Sequence, residues 1–163
     1  MNDAFLITGG NIGDRVTTLN NALYKIEEQC GNIIATSGLY ETAPWGNNDQ
    51  PPFLNQAIHL QTSFSSNQLM RCLLKIEKEM GRVRKEKYGP RIIDIDMLFY
   101  NDAIFNSELL NIPHPYLQDR RFVLLPLNEI AEHLIHPVYQ KTIAHLLQEC
   151  TDKLEVVKYI HSD

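Results

Sequence analysis

One tryptophan, three cysteines and no long apolar stretch are what this 163-residue chain has least of, and each scarcity narrows what it can be. Cys30, Cys72 and Cys150 are odd in number and far apart, so no disulfide framework is expected. They read as reduced and mostly structural, which fits a cytoplasmic protein. No apolar run approaches the roughly 18 residues of a membrane-spanning helix, and the N-terminus lacks a basic region followed by a long apolar segment. A soluble, unexported chain without a membrane partner is therefore expected. Positive charge is scarce too: 15 Lys and Arg stand against 20 Asp and Glu, for a net charge of -5 and a pI near 5.6. That balance argues against broad binding of nucleic acid, yet it leaves room for a local basic patch that captures one anionic ligand. Internal repeats and low-complexity segments are absent. At 44% hydrophobic the chain can bury a sizeable core, so one domain over residues 1–163 is expected, acting as a monomer.

The positive charge that does exist is concentrated. In the stretch GRVRKEKYGPRIIDIDMLFY, from Gly81 to Tyr100, Arg82, Arg84, Lys85, Lys87 and Arg91 fall within ten residues, opposed only by Glu86. The segment carries +4, which leaves -9 for the rest of the chain. Gly89-Pro90 ends this basic loop, and Ile92 to Tyr100 is apolar and β-branched enough to be a strand. Alternate side chains of a strand share a face. Ile93, Ile95, Met97 and Phe99 are thus expected to point into a core, while Asp94 and Asp96 point the other way, roughly 7 Å apart at the rise of a strand. Two neighbouring acids repel unless a cation lies between them. Carboxylates completed by water and phosphate oxygens are how proteins hold Mg²⁺, and the guanidinium and ammonium groups alongside suit phosphate. The combination points to a polyphosphate and metal site, although the solvated face of a sheet would use the same residues.

Along the chain, Ala4 to Thr8 reads as a buried strand and Gly9-Gly10-Asn11-Ile12-Gly13 as a tight turn. A phosphate-binding P-loop is disfavoured, because the Gly-Lys-Ser/Thr ending is missing. Val16, Leu19, Leu23, Ile26 and Cys30 recur at helical spacing, with Asp14 as N-cap and Gly31 as the residue after the end. Asn32 to Tyr40 and Phe53 to Ser63 read as antiparallel strands. Between them, ETAPWGNNDQPP from Glu41 to Pro52 is too long for a tight hairpin and is expected to be a mobile, functional loop carrying the single Trp45. Ser65 or Ser66 caps a second helix with the apolar face Leu69, Leu73, Ile76 and Met80, ended by Gly81. Glu77 lies in its last turn, where an acid opposes the helix dipole, and this hints at a functional or ion-paired role with Arg82 or Arg84. The last forty residues are expected to form a short helix near Asn128 to His133, another near Thr142 to Cys150, and a tail. The order strand, helix, strand, strand, helix, strand predicts an α+β, ferredoxin-like βαββαβ core: an antiparallel sheet with helices on one face, the other face free for ligand, and a C-terminal extension of short helices.

With these pieces in place, the sequence resembles the 6-hydroxymethyl-7,8-dihydropterin pyrophosphokinases of folate biosynthesis over roughly Ala4 to Ala131. GPRIIDID in the basic stretch carries most of the likeness, supported by GGNIGDR, by ETAPWG before FLNQ, and by IPHP followed by RRF. The resemblance implies transfer of the terminal diphosphate of ATP to the hydroxymethyl oxygen of the pterin, with release of AMP and the help of two Mg²⁺ ions. It implies that Asp94 and Asp96 hold both ions, that Arg82 and Arg91 touch the phosphates, and that Glu77, Arg84, Lys85, His114, Tyr116 and Arg120 belong to the ATP side. It also implies that Thr42, Ala43, Pro44, Trp45 and Asn55 contact the pterin, whose ring is stacked between Phe53 and Phe122. Three residues depart from the common pattern: Gly10 stands where many members have Ser, a change expected to touch only a turn, Trp45 where an aliphatic residue is common, and Tyr88 where Trp is common. An RNA-binding module shares the strand and helix order, but it needs exposed aromatics on the central strands where this chain has carboxylates. A catalytically inactive nucleotide-binding relative is the other alternative.

Overall fold

The computed structural model describes residues 1–43, 49–82 and 91–160. In chain order the elements are β1 (Asn2–Gly10), α1 (Arg15–Gln29), β2 (Asn32–Thr36), β3 (Tyr40–Thr42), β4 (Phe53–Thr62), α2 (Ser66–Glu79), β5 (Asp94–Tyr100), a small hairpin of β6 (Phe105–Asn106) and β7 (Asn111–Ile112), a 3-10 turn (Leu117–Asp119), α3 (Arg121–Ala131), α4 (Ile143–Glu149) and β8 (Val156–Lys158). The main sheet runs β5-β1-β4-β3-β8, with β2 also paired to β4. All of these pairings are antiparallel. This is the expected ferredoxin-like arrangement, with the second strand divided into β2 and β3. Ser37 sits at the break and keeps contact with β4: its N–H donates to the Ala57 carbonyl at 2.9 Å, and its hydroxyl accepts from the Ala57 N–H at 2.9 Å.

Local sequence accounts for the two helices between the strands. Asp14 Oδ1 accepts from the Thr17 N–H at 3.2 Å and starts α1. Ser65 and Gln68 bond each other's backbone at 2.9 and 3.2 Å in a capping box that starts α2, a motif whose Ser alone contributes about 1 kcal/mol. Leu19 and Ile26 of α1 and Leu69, Leu73 and Ile76 of α2 pack against Leu6, Ile58, Leu60, Ile93 and Ile95 on one face of the sheet. Each fully buried side chain of this kind is worth about 1.5–3 kcal/mol.

Four expectations need correction. The second face of the sheet is not free along its length: Val123, Leu124 and Leu127 of α3, with Ile143 and Leu146 of α4, cover Phe5, Ile7, Ala57, Leu98 and Phe99. Helix α3 begins at Arg121 rather than near Asn128, and it carries Pro126 inside. The proline removes one intrahelical donor, but apolar residues at 123, 124 and 127 gain enough burial against the sheet to hold the helix across it. Phe99 does not share a face with Ile93, Ile95 and Met97. A register shift against β1, between Phe5 and Leu6, inserts Leu98 and turns Phe99 to the α3 side. The tail also forms β8, which adds to β3 and was not expected. Among the described residues no helix is long and apolar enough to cross a membrane.

Candidate active site

Beyond the part covered by α3 and α4, the second face carries one cross-strand row that organises the site. Gly9 is the register partner of Asp94 on one side and of Asn55 on the other, and Asn55 is opposite Tyr40. Gly9 contributes no side chain, and a Cβ there would lie 2.2 Å from Asn55 Nδ2. Asp94 and Asn55 therefore stand on either side of a bare strip of backbone, two strand spacings or about 10 Å apart. Gly10 is more than a turn residue, contrary to expectation, since its Cβ would lie 2.2 Å from the Ile92 carbonyl oxygen. Its bareness lets the chain entering β5 approach β1.

At the Asp94 end the charges form a chain. Arg82 Nη1 donates to Glu77 Oε2 at 2.6 Å and to Asp94 Oδ1 at 2.7 Å, and Arg91 Nη1 reaches Asp94 Oδ2 at 3.3 Å. Glu77 Oε2 also accepts from the Ile95 N–H at 2.6 Å, which ties the end of α2 to β5. The acid that opposes the dipole of α2 is thus a buried bridge with Arg82 as its partner, and burial pushes its carboxyl above the usual range against the pull of the Ile95 N–H and Arg82. The Arg82 side chain is only 8% exposed, and its Nε–H is buried without an acceptor. Two residues further along β5, loss of solvent and the neighbouring Asp94 and Glu77 push the Asp96 carboxyl up to about 8. No cluster of three or more His, Cys, Asp or Glu side chains able to hold a metal occurs among the described residues. The candidate metal set is the Asp94 and Asp96 pair alone.

His114 enters this region through its backbone N–H, which donates to the Leu98 carbonyl at 3.0 Å. Burial and the Arg120 charge bring its pKa down to about 4. Its Nδ1 accepts from the Tyr116 N–H at 3.3 Å, so the neutral ring carries its proton on Nε2 and offers a donor. The Arg120 guanidinium lies over the rings of Tyr116 and Phe122, at 5.1 and 5.9 Å from their centroids. At the other end of the row, Asn55 Nδ2 is held by the Thr8 carbonyl at 3.3 Å, while Asn55 Oδ1 is buried with no donor. Thr42 and Phe53 are register partners next to it. The Thr42 hydroxyl donates to the Glu155 carbonyl at 3.1 Å, which fixes its orientation. Ala43 follows β3 and is exposed. The expectations for Pro44, Trp45, Arg84, Lys85 and Tyr88 lie outside the described residues.

Asn11 is the organiser that sequence reasoning passed over. It is 1% exposed, and its backbone N–H and Oδ1 bond the Arg91 carbonyl and N–H at 3.0 and 2.9 Å. Its Nδ2 donates to Gln50 Oε1 at 2.8 Å and to the Pro51 carbonyl at 2.9 Å. One amide thus connects the base of the basic segment to the base of the 43–52 segment. The only sequence signal was an asparagine directly after two glycines, which reads equally well as a turn.

Comparison with known proteins identifies the family. Residues 5–132 match the family described as 7,8-dihydro-6-hydroxymethylpterin-pyrophosphokinase (HPPK). The chain is 40% identical over 153 residues to the 2-amino-4-hydroxy-6-hydroxymethyldihydropteridine pyrophosphokinase of Aquifex aeolicus, covering 94% of this chain and 95% of that protein. It is 41% identical over 152 residues to the folic acid synthesis protein fol1 of Schizosaccharomyces pombe, covering 93% of this chain but 20% of that protein. A crystal structure of Plasmodium falciparum HPPK-DHPS superposes with a TM-score of 0.73 at 23% identity, over 91% of this chain and 43% of the other, and supports the fold alone. The chain therefore belongs to the 7,8-dihydro-6-hydroxymethylpterin-pyrophosphokinase family, and its activity is pyrophosphoryl transfer from ATP to hydroxymethyldihydropterin in folate synthesis.

Proposed function

We propose that the transfer takes place over the bare Gly9 strip, with the triphosphate at the Asp94 end and the pterin at the Asn55 end. The observation that carries this reading is the Asp94–Gly9–Asn55 row, which sets a carboxylate and an orphaned acceptor on either side of open backbone. Asn55 Oδ1 suits an N–H donor on the pterin edge. Thr42 and Phe53 lie beside it, and Phe122 supplies the second aromatic face, so that a flat bicyclic ring is stacked and oriented by one short row of groups. Arg82, through its free Nε–H, Arg91 and the neutral His114 Nε2–H present donors to phosphate oxygens. Glu77, Tyr116 and Arg120 support them: Glu77 holds Arg82, and Arg120 is stacked on Tyr116.

Asp94 and Asp96 would hold two magnesium ions. The donor set fits: two carboxylates on one face, one of them with its ionised form disfavoured by burial and by its acidic neighbours, are relieved by a divalent cation. When bound, the ions neutralise phosphate charge and polarise the β-phosphorus. The hydroxymethyl oxygen attacks that phosphorus and releases its proton to solvent, the bond to the bridging oxygen breaks, and AMP leaves with the bonding electron pair. The side chains contribute alignment of the two substrates and fixed positive charge where negative charge develops. The protein acts as a monomer in the cytoplasm, a compartment that its three free cysteines suit.

Magnesium dependence tests the two-ion assignment. Turnover at fixed ATP is expected to be absent in excess chelator and to go on rising after every ATP carries one ion. Activity that levels off at one equivalent per ATP would remove the second ion, and activity in chelator would remove both.

A further inference from the structure

We infer that Arg15 is a positioning residue for the pterin end of the site and acts from the opposite face of the sheet without touching substrate. The inference rests on the pyrophosphokinase reading, which supplies the ligand. Arg15 is the first residue of α1, and its Nη1 makes two contacts across one gap. It pairs with Glu41 Oε2 at 2.7 Å and donates to the Pro52 carbonyl at 3.0 Å. Glu41 immediately precedes Thr42, Pro52 immediately precedes Phe53, and Thr42 and Phe53 are register partners. One guanidinium therefore holds both strand ends one residue away from each expected pterin contact.

Alternation along β3 makes this action indirect. Tyr40 and Thr42 share the face that carries Asn55, so Glu41 between them turns toward α1. The C-terminal segment reinforces the clamp. Tyr159 lies over the guanidinium at 5.6 Å from its ring centroid, and its N–H is fixed to the Leu39 carbonyl at 2.7 Å. The Arg15 and Glu41 side chains are 20% and 31% exposed, so the pair counts for its geometry more than for raw electrostatic strength. With both strand ends held, the Thr42–Phe53 spacing is set before the ring arrives, and less ordering is needed on binding. Among the described residues Arg15 has no direct hydrogen bond or ion pair with Glu77, Arg82, Asp94 or His114, and its route to them passes through the Pro51–Asn11–Arg91 bonds, so the nucleotide end should sense its loss far less than the pterin end.

The test is a pair of equilibrium titrations, Mg²⁺ with a non-hydrolysable α,β-methylene ATP and then a pterin analogue, on wild type, Arg15→Ala, Arg15→Lys and Glu41→Gln. Arg15→Ala is expected to weaken the pterin analogue by roughly 5- to 10-fold, the scale of losing one preorganising contact, with nucleotide affinity within twofold. Glu41→Gln, which keeps the Pro52 contact, should lie between that variant and wild type, and Arg15→Lys should recover part of the loss. Equal weakening of both ligands would overturn the inference, as would an unchanged pterin affinity with only a lowered melting temperature. A wild type that bound nucleotide but no pterin would overturn the pyrophosphokinase reading and this inference with it. Normal wild-type binding with indifferent variants would overturn this inference alone.

Discussion

Asp96→Asn is expected to cut turnover by about 10³-fold or more while leaving the ligand-free protein at least as stable as wild type. The two halves of this result have one origin. Asp96 stands in a partly desolvated place beside Asp94 and Glu77, which push its carboxyl up to about 8. Its charge is therefore unwelcome to the empty fold and useful only when a cation arrives. An amide of the same shape keeps the packing, removes the repulsion and supplies a poorer ligand. The sign of the pH dependence follows. An acid whose pKa is raised on folding holds its proton longer in the folded state, so its contribution to stability falls as pH rises from near 4 toward 8. That decline, followed by thermal melts of ligand-free protein across the range, should be weaker in Asp96→Asn. Near-normal turnover, or a clear loss of stability, would contradict the assignment.

Arg82→Ala should be costly in both respects. The guanidinium is 8% exposed and bridges Glu77 and Asp94, at 2.6 and 2.7 Å, so its loss leaves the buried Glu77 without its charged partner and leaves Asp94, 23% exposed, to Arg91. Breaking a buried charge network on one side usually costs about 3–5 kcal/mol. Turnover should also fall steeply, because Asp94 loses the group that aims it and the phosphates lose the free Nε–H donor. Arg82→Lys is expected to recover stability more than rate, since an ammonium can bridge the acids but brings no second planar donor. Urea midpoints and kcat measured on both variants check this. A stable Arg82→Ala protein would show that the bridge carries little of the fold.

What could be read in advance, and what could not, follows from the range of each signal. The faces of α1 and α2, the Asp14 and Ser65 caps and the shared face of Asp94 and Asp96 depend on neighbours within a few residues, where periodicity and capping chemistry act. Glu77 was legible as a local conflict with the helix dipole, and its resolution by Arg82 lies only five residues away. Phe99 was placed on the wrong face because alternation presumes an unbroken register, and the shift beside Leu98 is dictated by pairing with β1. Helix α3 starts at Arg121, ahead of the expected Asn128, and contains Pro126, which weighs against a helix locally, while the burial that outweighs it comes from the sheet. Strand β8 is three residues long, two of them exposed, and carries no pattern of its own. The role of Asn11 depends on partners 39 and 80 residues away and could not be seen before the chain was folded.

The most direct test is product analysis with the intact protein. Enzyme, Mg²⁺, ATP and 6-hydroxymethyl-7,8-dihydropterin should yield AMP and pterin diphosphate in equal amounts, without ADP, as read by chromatography of the quenched mixture. Formation of ADP with a pterin monophosphate, or consumption of ATP independent of the pterin, would contradict attack at the β-phosphorus across the Asp94–Gly9–Asn55 row.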